Sequence, residues 1–114
     1  MQDSTTKLNN YISPGKIFIF STTNCPYCDK AKQLVSMLKA EYGTITVNTD
    51  PNTRNDSQFI EALHANSGIR TYPKVYIGTK CYGGFSDVNA LYQSGELYRI
   101  LKDEGIAFTE RTKV

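Results

Sequence analysis

Cysteine is scarce in this chain, with three among 114 residues. So few cysteines exclude the disulfide-dense scaffold of small secreted proteins, and an odd number cannot pair completely within one chain. A chain of this length, with 39% hydrophobic residues, buries a core without disulfide or metal staples. We therefore expect a soluble protein of a reducing compartment, the cytoplasm, that folds as one domain over residues 1–114.

Three other features are missing from the sequence. No apolar run approaches the roughly 20 residues of a membrane-spanning helix. The polar segment Met1–Asn10 lacks the apolar stretch of a secretory signal peptide. The net charge is only +2, with lysine and arginine spread along the chain, which excludes a strongly cationic nucleic-acid-binding protein. We expect neither a membrane nor a nucleic acid among the partners.

No internal repeat, low-complexity tract or linker divides the sequence, so its elements form one unit. Hydrophobic spacing and breaker residues predict these elements in the order α, β, α, β, α, β, β, α, α. A helix crossing between the first two strands makes them parallel neighbours, and the later hairpin adds an antiparallel pair. The sequence thus predicts an α/β fold, a four-stranded mixed sheet flanked by helices, with an extra helix at the N-terminus.

The predicted boundaries follow from glycine, proline and polar turn residues. The core is expected to span about residues 13–105, and the tail over residues 108–114 is expected to fray. The predicted helices cover residues 4–12, 26–43, 59–68, 86–95 and 97–105, and the predicted strands cover residues 16–20, 44–48, 73–77 and 80–82.

The arrangement of two of the cysteines is more informative than their number. Cys25-Pro26-Tyr27-Cys28 stands where a buried strand ends and a helix begins. The unpaired N–H groups and the positive dipole end of a helix start favour a thiolate at Cys25, which makes it the better nucleophile. Cys28 lies one turn into the helix, where it is covered and suited to resolve a mixed disulfide formed at Cys25. The pattern predicts that this pair is catalytic.

Two other interpretations of the C-x-x-C segment stay open at this point. The segment is also half of a zinc site, which Cys81 and His64 would complete. No second close cysteine pair supports such a site. Two buried, inert cysteines are a weaker interpretation, because the boundary between a loop and a helix is an exposed place.

Two further segments are candidate parts of a binding site. The first is Thr71-Tyr72-Pro73, where the proline is either an ordinary strand start or a cis proline that leaves the Tyr72 backbone available to an extended peptide. The second is Gly83-Gly84-Phe85-Ser86-Asp87, where the glycines permit close approach of a ligand and the following helix start attracts an anion. The alternative for this second segment is a capped turn without a ligand.

In this order, the three segments resemble the dithiol glutaredoxins of the thioredoxin-like fold. The matching motifs are C-P-Y-C at 25–28, T-Y-P at 71–73 and G-G-F-S-D at 83–87, and the similarity includes S-G-I-R at 67–70 and L-Y-Q-S-G-E-L at 91–97. It extends from about Ser13 to Gly105. The chain is thus similar to this family over nearly its whole length.

The resemblance implies a monomeric, glutathione-dependent thiol–disulfide oxidoreductase without a tightly bound cofactor or metal. Cys25 would attack protein disulfides and glutathionylated proteins, while Cys28 would resolve protein disulfides and be dispensable for deglutathionylation. Glutathione, the cosubstrate, would lie extended across the site. The residues that would bind it are Tyr27, Arg70, Thr71, Tyr72, Pro73, Gly84, Ser86 and Asp87.

The sequence departs from the family pattern at the glycyl-carboxylate end of glutathione, which Arg70 would approach. Thr22 stands where many members carry a lysine, and Ile60 stands where many carry a glutamine. Loss of the cation weakens a charge-assisted contact. One hypothesis is therefore the same chemistry with a glutathione derivative whose glycyl carboxylate is capped, such as trypanothione. Asp29 or Glu61 would attract the polyamine of that compound.

Two alternatives concern iron and the third cysteine. One alternative is that Cys25 from two chains, together with two glutathiones, binds an iron–sulfur cluster, as some relatives of the family do. Pro26 stiffens the motif and is expected to disfavour that assembly. Cys81, beside the glycine pair, is expected to be a small buried hydrophobe, with a regulatory thiol as the other interpretation.

Overall fold

A computed structural model describes residues 3–110 of the chain. The helices in that range are α1 Ser4–Asn9, α2 Pro26–Met37, α3 Ser57–Ser67, α4 Phe85–Ser94 and α5 Glu96–Asp103. The strands are β1 Ile17–Ser21, β2 Tyr42–Thr46, β3 Lys74–Ile77 and β4 Lys80–Cys81. Their order along the chain is the predicted one. Within the same range, no helix is both long enough and apolar enough to cross a bilayer.

The strands form one mixed sheet in the order β2-β1-β3-β4. β1 runs parallel to β2 and antiparallel to β3, and β3 and β4 form a hairpin. The parallel pair is joined through α2, because two parallel neighbours need a long crossover connection. The predicted four-stranded mixed sheet flanked by helices is confirmed, and α1 is the extra N-terminal helix.

Alternate residues of the strands face opposite sides of the sheet, and each side carries its own layer of helices. On one side, Ile17, Ile19 and Val75 pack against α2, α4 and α5. On the other side, Phe20 and Tyr76 pack against α1 and α3, with their ring centroids 5.5 Å apart in an edge-on contact. Because both faces are covered, the central strands read as almost continuous apolar runs.

The boundary between α2 and β2 differs from the prediction. The helix ends at Met37 and not at Gly43, because Lys39 has a positive φ of 56°, which a helix does not continue through. The strand accordingly starts at Tyr42, earlier than predicted. Gly43 lies in this strand opposite Phe18, and a Cβ on it would stand 2.7 Å from carbons of the Phe18 ring. The glycine therefore permits close packing within the sheet and does not end a helix.

The other helix boundaries differ from the prediction by at most three residues; α3, for example, begins at Ser57 and not at Phe59. α1 ends before Ile12, its predicted last residue, yet Ile12 stays buried in the core. α4 begins at Phe85, directly before the predicted start, with Gly84 as its N-cap. Gly68 and Gly95 follow α3 and α4 in the left-handed conformation, as their predicted role in ending helices requires.

The tail that was expected to fray begins with two anchored residues. The ring of Phe108 stacks on that of Tyr98, with centroids 5.5 Å apart. The backbone N–H of Thr109 donates to the carbonyl oxygen of Leu38 at 2.6 Å. Glu110 follows as an exposed residue without regular secondary structure, and residues 111–114 of the predicted frayed segment lie outside the described residues.

Candidate active site

The C-x-x-C segment lies at the N-terminus of α2, directly after the loop that leaves β1. Cys25 is the N-cap of α2 and Pro26 is its first residue, a position that suits the fixed φ and missing N–H of proline. Cys25 and Cys28 form a disulfide, with their Cα atoms 5.2 Å apart. The backbone N–H of Cys28 donates to the Sγ of Cys25 at 3.2 Å. The helix start thus directs an N–H group and its dipole at the Cys25 sulfur.

The two sulfurs differ in accessibility. Cys25 is partly exposed, whereas Cys28 is buried, with 1% of its surface exposed. An external thiol or disulfide can therefore reach the Cys25 sulfur and not the Cys28 sulfur. This difference is what attack by Cys25 and resolution by Cys28 require. The roles themselves stay a prediction.

The Thr71-Tyr72-Pro73 segment lies beside the disulfide. The Tyr72–Pro73 peptide bond is cis, which is the second of the two alternatives that the sequence left open. The carbonyl oxygen of Tyr72 lies 3.8 Å from the Sγ of Cys25. No hydrogen bond from elsewhere in residues 3–110 engages the backbone N–H of Tyr72. This backbone is therefore available, next to the reactive sulfur, to an extended peptide.

The glycine-rich segment contacts the same place from α4. Gly83 has a φ of 105°, and a side chain there would collide with the Asp87 carboxylate. That carboxylate accepts a hydrogen bond from the Gly84 N–H at 3.0 Å, which fixes the start of α4. A Cβ on Gly84 would lie 3.4 Å from the carbonyl oxygen of Pro73, so the two segments touch. The three motifs, distant in sequence, thus meet at one site, where Ser86 and Asp87 are exposed.

An aromatic pair borders this site. Tyr27 is 57% exposed, and its ring stacks on that of Phe85 with centroids 6.2 Å apart. The ammonium of Lys30 lies 5.3 Å from the centroid of Tyr27 and 5.9 Å from that of Phe85. Tyr27 was predicted to flank the cleft, whereas Phe85 and Lys30 were not singled out as binding residues. The spacing of Tyr27 and Lys30, three residues apart on one helix, was the available signal.

The Arg70 side chain has a partner within the chain itself. Its guanidinium donates to both carboxylate oxygens of Glu61, at 3.1 and 2.8 Å, and both side chains lie mostly in solvent. The hydrogen bonds from Arg70 lower the pKa of Glu61. Arg70, which the resemblance assigned to the glycyl carboxylate, is thus bound to a carboxylate of α3. The predicted contact requires Glu61 to give way or to share the guanidinium.

The other residues at this end add no cation. Ile60 is half-buried and packs against the core cluster that contains Phe59 and Leu63. Thr22 is half-buried after β1, and Thr71 is exposed beside Arg70. Thr71 and Arg70 thus precede Tyr72 directly, and positions 22 and 60 carry uncharged side chains where the family pattern has a lysine and a glutamine.

The zinc interpretation has no ligand set in the described part of the chain, where no three His, Cys, Asp or Glu side chains are close enough to hold a metal ion. His64 instead contacts the ring of Tyr72, with centroids 5.9 Å apart. Cys81 is half-buried beside the cluster that contains Phe20, and its Sγ accepts the Gly83 N–H at 3.4 Å. Burial raises the pKa of the Cys81 thiol. These properties fit a small hydrophobe better than a reactive thiol.

Sequence reasoning did not single out Lys74. This residue opens β3 directly after Pro73, and its side chain is fully buried. Its ammonium donates to the Ser67 hydroxyl at 3.1 Å and to the carbonyl oxygen of Ile69. The signal was a charged residue in an otherwise apolar strand, K-V-Y-I, on the same face as Tyr76.

Known proteins are similar to this chain in sequence. The glutaredoxin family model matches residues 17–82. Glutaredoxin-1 from Homo sapiens is 38% identical over 98 residues, which cover 86% of this chain and 92% of the human protein. A glutaredoxin from Ricinus communis is 34% identical over 100 residues, which cover 88% of this chain and 95% of the plant protein.

Solved structures share the fold. The crystal structure of a buckwheat glutaredoxin–glutathione complex matches with a TM-score of 0.78 and 30% identity, over 90% of each chain. The solution structure of reduced glutaredoxin C1 from Populus tremula x tremuloides matches with a TM-score of 0.78 and 31% identity, over 90% of this chain and 85% of that one. The expected thioredoxin-like fold is thereby confirmed.

Proposed function

This chain belongs to the glutaredoxin family and is a glutathione-dependent thiol–disulfide oxidoreductase, and we propose that Cys25 is its nucleophile and Cys28 its resolving thiol. The observation that carries this assignment is the difference in access between two bonded sulfurs. Cys25 caps α2 and is partly exposed, while Cys28 is buried one turn further along. The Cys28 N–H, 3.2 Å from the Cys25 sulfur, supports a thiolate at Cys25 in the reduced protein.

Reduction of a protein disulfide proceeds by successive exchanges. The Cys25 thiolate attacks one substrate sulfur, which forms a mixed disulfide and releases a thiolate that takes up a proton. The Cys28 thiolate then attacks the Cys25 sulfur, releases the second substrate thiol and leaves the Cys25–Cys28 disulfide. One glutathione opens this disulfide at Cys25, and a second glutathione removes the first as glutathione disulfide. Two electrons pass in all from two glutathiones to the substrate.

Deglutathionylation needs Cys25 alone. The Cys25 thiolate attacks the glutathione sulfur of the mixed disulfide, and the substrate leaves as a thiol. Cys25 is then itself glutathionylated, and a second glutathione restores its thiolate by forming glutathione disulfide. Because Cys28 takes no part in these two exchanges, the proposed roles of the cysteines can be separated by experiment.

We propose that glutathione lies extended over the meeting point of the three motifs. Its cysteine backbone would pair with the available backbone of Tyr72, beside the Cys25 sulfur. Its γ-glutamyl carboxylate would bind at the start of α4, near Gly84 and Ser86, where helix N–H groups attract an anion, and its ammonium would approach Asp87. The buckwheat relative, whose structure is a complex with glutathione, supports this ligand. The remaining residues of the proposed site are Tyr27, Arg70, Thr71 and Pro73.

The protein substrates are proposed to be disulfide-bonded or glutathionylated proteins. The enzyme is proposed to act as a monomer in the cytoplasm, without a tightly bound cofactor. A reaction that consumes two reduced glutathiones for each disulfide requires a compartment that keeps glutathione reduced. The net charge of only +2 does not favour binding to nucleic acids or membrane surfaces, and we propose neither as a partner.

Variants of the cysteines test the assignment. Cys25→Ser should lose activity on both a glutathionylated peptide and a disulfide-bonded protein, because the attacking sulfur is gone. Cys28→Ser should keep most activity on the peptide and lose activity on the protein disulfide. Both are measured by NADPH oxidation coupled through glutathione reductase. Cys81→Ser is the control and should keep both activities. Equal loss of deglutathionylation in Cys28→Ser and Cys25→Ser would contradict the proposed roles.

A further inference from the structure

Lys74 is buried at the base of the proposed glutathione site without an acidic partner. Its side chain has 0% of its surface exposed, and none of the ion pairs formed among residues 3–110 includes it. A buried charge is costly unless other groups satisfy its hydrogen-bonding capacity. Other contacts of the Lys74 ammonium must therefore offset the cost of burial that a carboxylate partner would otherwise offset.

Three contacts account for the three N–H groups of this ammonium. Two are hydrogen bonds, to the Ser67 hydroxyl at 3.1 Å and to the carbonyl oxygen of Ile69. The third is the face of the Tyr72 ring, whose centroid lies 4.9 Å from the Nζ. Burial lowers the pKa of Lys74 from 10.5 to about 8, so the ammonium form still predominates at neutral pH.

Residues 68–73 join α3 to β3, and we call them the α3–β3 connection. The partners of Lys74 lie within this connection or directly before it. Ser67 is the last residue of α3, and Ile69 follows the helix-ending Gly68. Tyr72 lies near the end of the connection, with its carbonyl oxygen 3.8 Å from the Cys25 sulfur. One buried side chain therefore ties the α3–β3 connection to β3 along its length.

We propose that Lys74 is a positioning residue for the thiol substrate, whose ammonium holds the α3–β3 connection so that the Tyr72 backbone is presented to the cysteine of glutathione. This inference rests on the proposed function, in which glutathione pairs with that backbone. Cys25 and Cys28 are positioned by a different element, the start of α2. Removal of the ammonium should therefore weaken substrate binding more than it slows thiol exchange.

Lys74→Met tests the proposal, because methionine is unbranched and apolar and donates no hydrogen bond. We expect the KM for a glutathionylated peptide to rise about tenfold, with kcat changed less than about threefold, through loss of charge-assisted hydrogen bonds. Lys80→Met is the matched control. The ammonium of Lys80 also lies over an aromatic ring, 5.0 Å from the centroid of Tyr82, but on the exposed hairpin, and its loss should leave KM unchanged.

Binding of S-methylglutathione, which has no thiol to exchange, separates positioning from chemistry. By calorimetry at neutral pH, its Kd should be about tenfold higher for Lys74→Met than for wild type. The ratio of the two Kd values should shrink between neutral pH and about pH 9, as the wild-type ammonium loses its proton. The other titratable or charged groups that face Lys74 occur in both proteins, namely Tyr72 and Arg70 of the connection, His64 of α3, Tyr76 of β3 and Cys81 of β4. Because the Lys74 charge lowers the pKa of both His64 and Cys81, the ratio reports the loss of the ammonium together with its effect on these two groups.

The outcomes separate this inference from the proposed function. A folded Lys74→Met protein with wild-type KM and Kd overturns the inference and leaves the proposed function intact. A wild-type protein that is inactive with glutathione overturns both. If circular dichroism shows that Lys74→Met does not fold, Lys74→Gln, which keeps an N–H donor, takes its place. It should bind S-methylglutathione more weakly than wild type, and unchanged binding overturns the inference.

Discussion

Cys25, Cys28 and Cys81 are one residue type in three different surroundings. Cys25 receives a backbone N–H at a helix start and faces solvent, while Cys28 is covered by the protein. Cys81 lies at the edge of a hydrophobic cluster, where burial raises the pKa of its thiol and keeps it protonated at neutral pH. The surroundings, and not the residue type, are thus the basis on which we propose an attacking role for Cys25, a resolving role for Cys28 and no catalytic role for Cys81.

Glu61 binds Arg70, which we propose to contact the glycyl carboxylate of the substrate, and Glu61 is therefore a candidate determinant of specificity. We expect Glu61→Gln to lower the KM for a glutathionylated peptide about two- to threefold, because an exposed ion pair is weak and the released guanidinium can bind the glycyl carboxylate. Steady-state kinetics of the coupled deglutathionylation assay measure this change.

Two controls identify the carboxylate as the cause. Glu96→Gln breaks another exposed pair, with Arg99 on α5, and should leave KM unchanged. A peptide whose glutathione carries an amidated glycine has no carboxylate to bind, so Glu61→Gln should not improve its KM. Equal improvement with both peptides would argue against the role of Arg70. Faster turnover of wild type with amidated glutathione than with glutathione would favour a capped cosubstrate such as trypanothione.

Among the elements, α3 joins the N-terminal helix to the active site. Its N-cap Asp56 accepts hydrogen bonds from the Phe59 N–H at 3.0 Å and from the Lys7 ammonium of α1 at 2.8 Å. Its other end leads through Gly68 into the α3–β3 connection. The extra helix α1 is thus fastened to the element that carries Glu61 and precedes Tyr72.

We expect Asp56→Ala to lower the thermal unfolding midpoint more than Asp3→Ala does. Both changes remove an N-cap, since Asp3 accepts the Thr6 N–H of α1 at 2.8 Å, but Asp56→Ala also removes a bond between two helices. The hydrogen bonds from Lys7 and Phe59 lower the pKa of Asp56 below 3.8. The stabilisation that the ionised Asp56 carboxylate gives wild type is therefore present at neutral pH. It is lost as the pH falls through the lowered pKa of Asp56.

Circular dichroism melts at neutral and at acid pH measure both effects. Equal destabilisation by the two alanine variants at neutral pH would show that the bond between α1 and α3 contributes nothing. An Asp56→Ala deficit that persists unchanged at acid pH would contradict the role of the ionised carboxylate.

The molecule as a whole rests on two hydrophobic clusters, one on each face of the sheet. The cluster under α2, α4 and α5 is mainly aliphatic. The cluster under α1 and α3 is rich in aromatic rings and includes Phe20, Phe59 and Tyr76. Lys74 shares the strand face of Tyr76, so its charge lies at the border of the aromatic cluster. Burial of the ammonium at this border lowers the free energy of unfolding. Its hydrogen bonds nevertheless hold the α3–β3 connection in place.

We expect the stability of wild type relative to Lys74→Met to rise with pH above about 8. The pKa of Lys74 is about 8 in the folded protein, whereas the ordinary pKa of lysine, which applies to the unfolded chain, is 10.5. Between these values, the unfolded chain binds a proton that the folded protein has released, so a higher pH favours the folded state. Burial raises the pKa of Cys81 and Tyr76, which lowers the stability of both proteins at alkaline pH, and in wild type the Lys74 charge offsets part of the rise at Cys81. Urea unfolding at increasing pH measures the difference, and a constant difference would contradict the buried ammonium.

The order of the elements, the mixed sheet and the helix start at Cys25 could be predicted because hydrophobic period, proline placement and helix-end rules act within short windows. The end of α2 could not be predicted in this way. Lys39 carries no local signal for its left-handed conformation, and the place of Gly43 depends on the Phe18 ring of the neighbouring strand. Such contacts exist only after β2 has paired with β1.

The sequence by itself determined the reactive pair, the three motifs and their resemblance to the glutaredoxins, because a C-x-x-C at a helix start carries its chemistry locally. The tertiary structure alone decided that Glu61 occupies Arg70 and that Lys74 is buried against Tyr72. The physical reason is that ion pairing and burial are properties of distances between segments. Those distances are set when α3, the α3–β3 connection and β3 pack together on one face of the sheet.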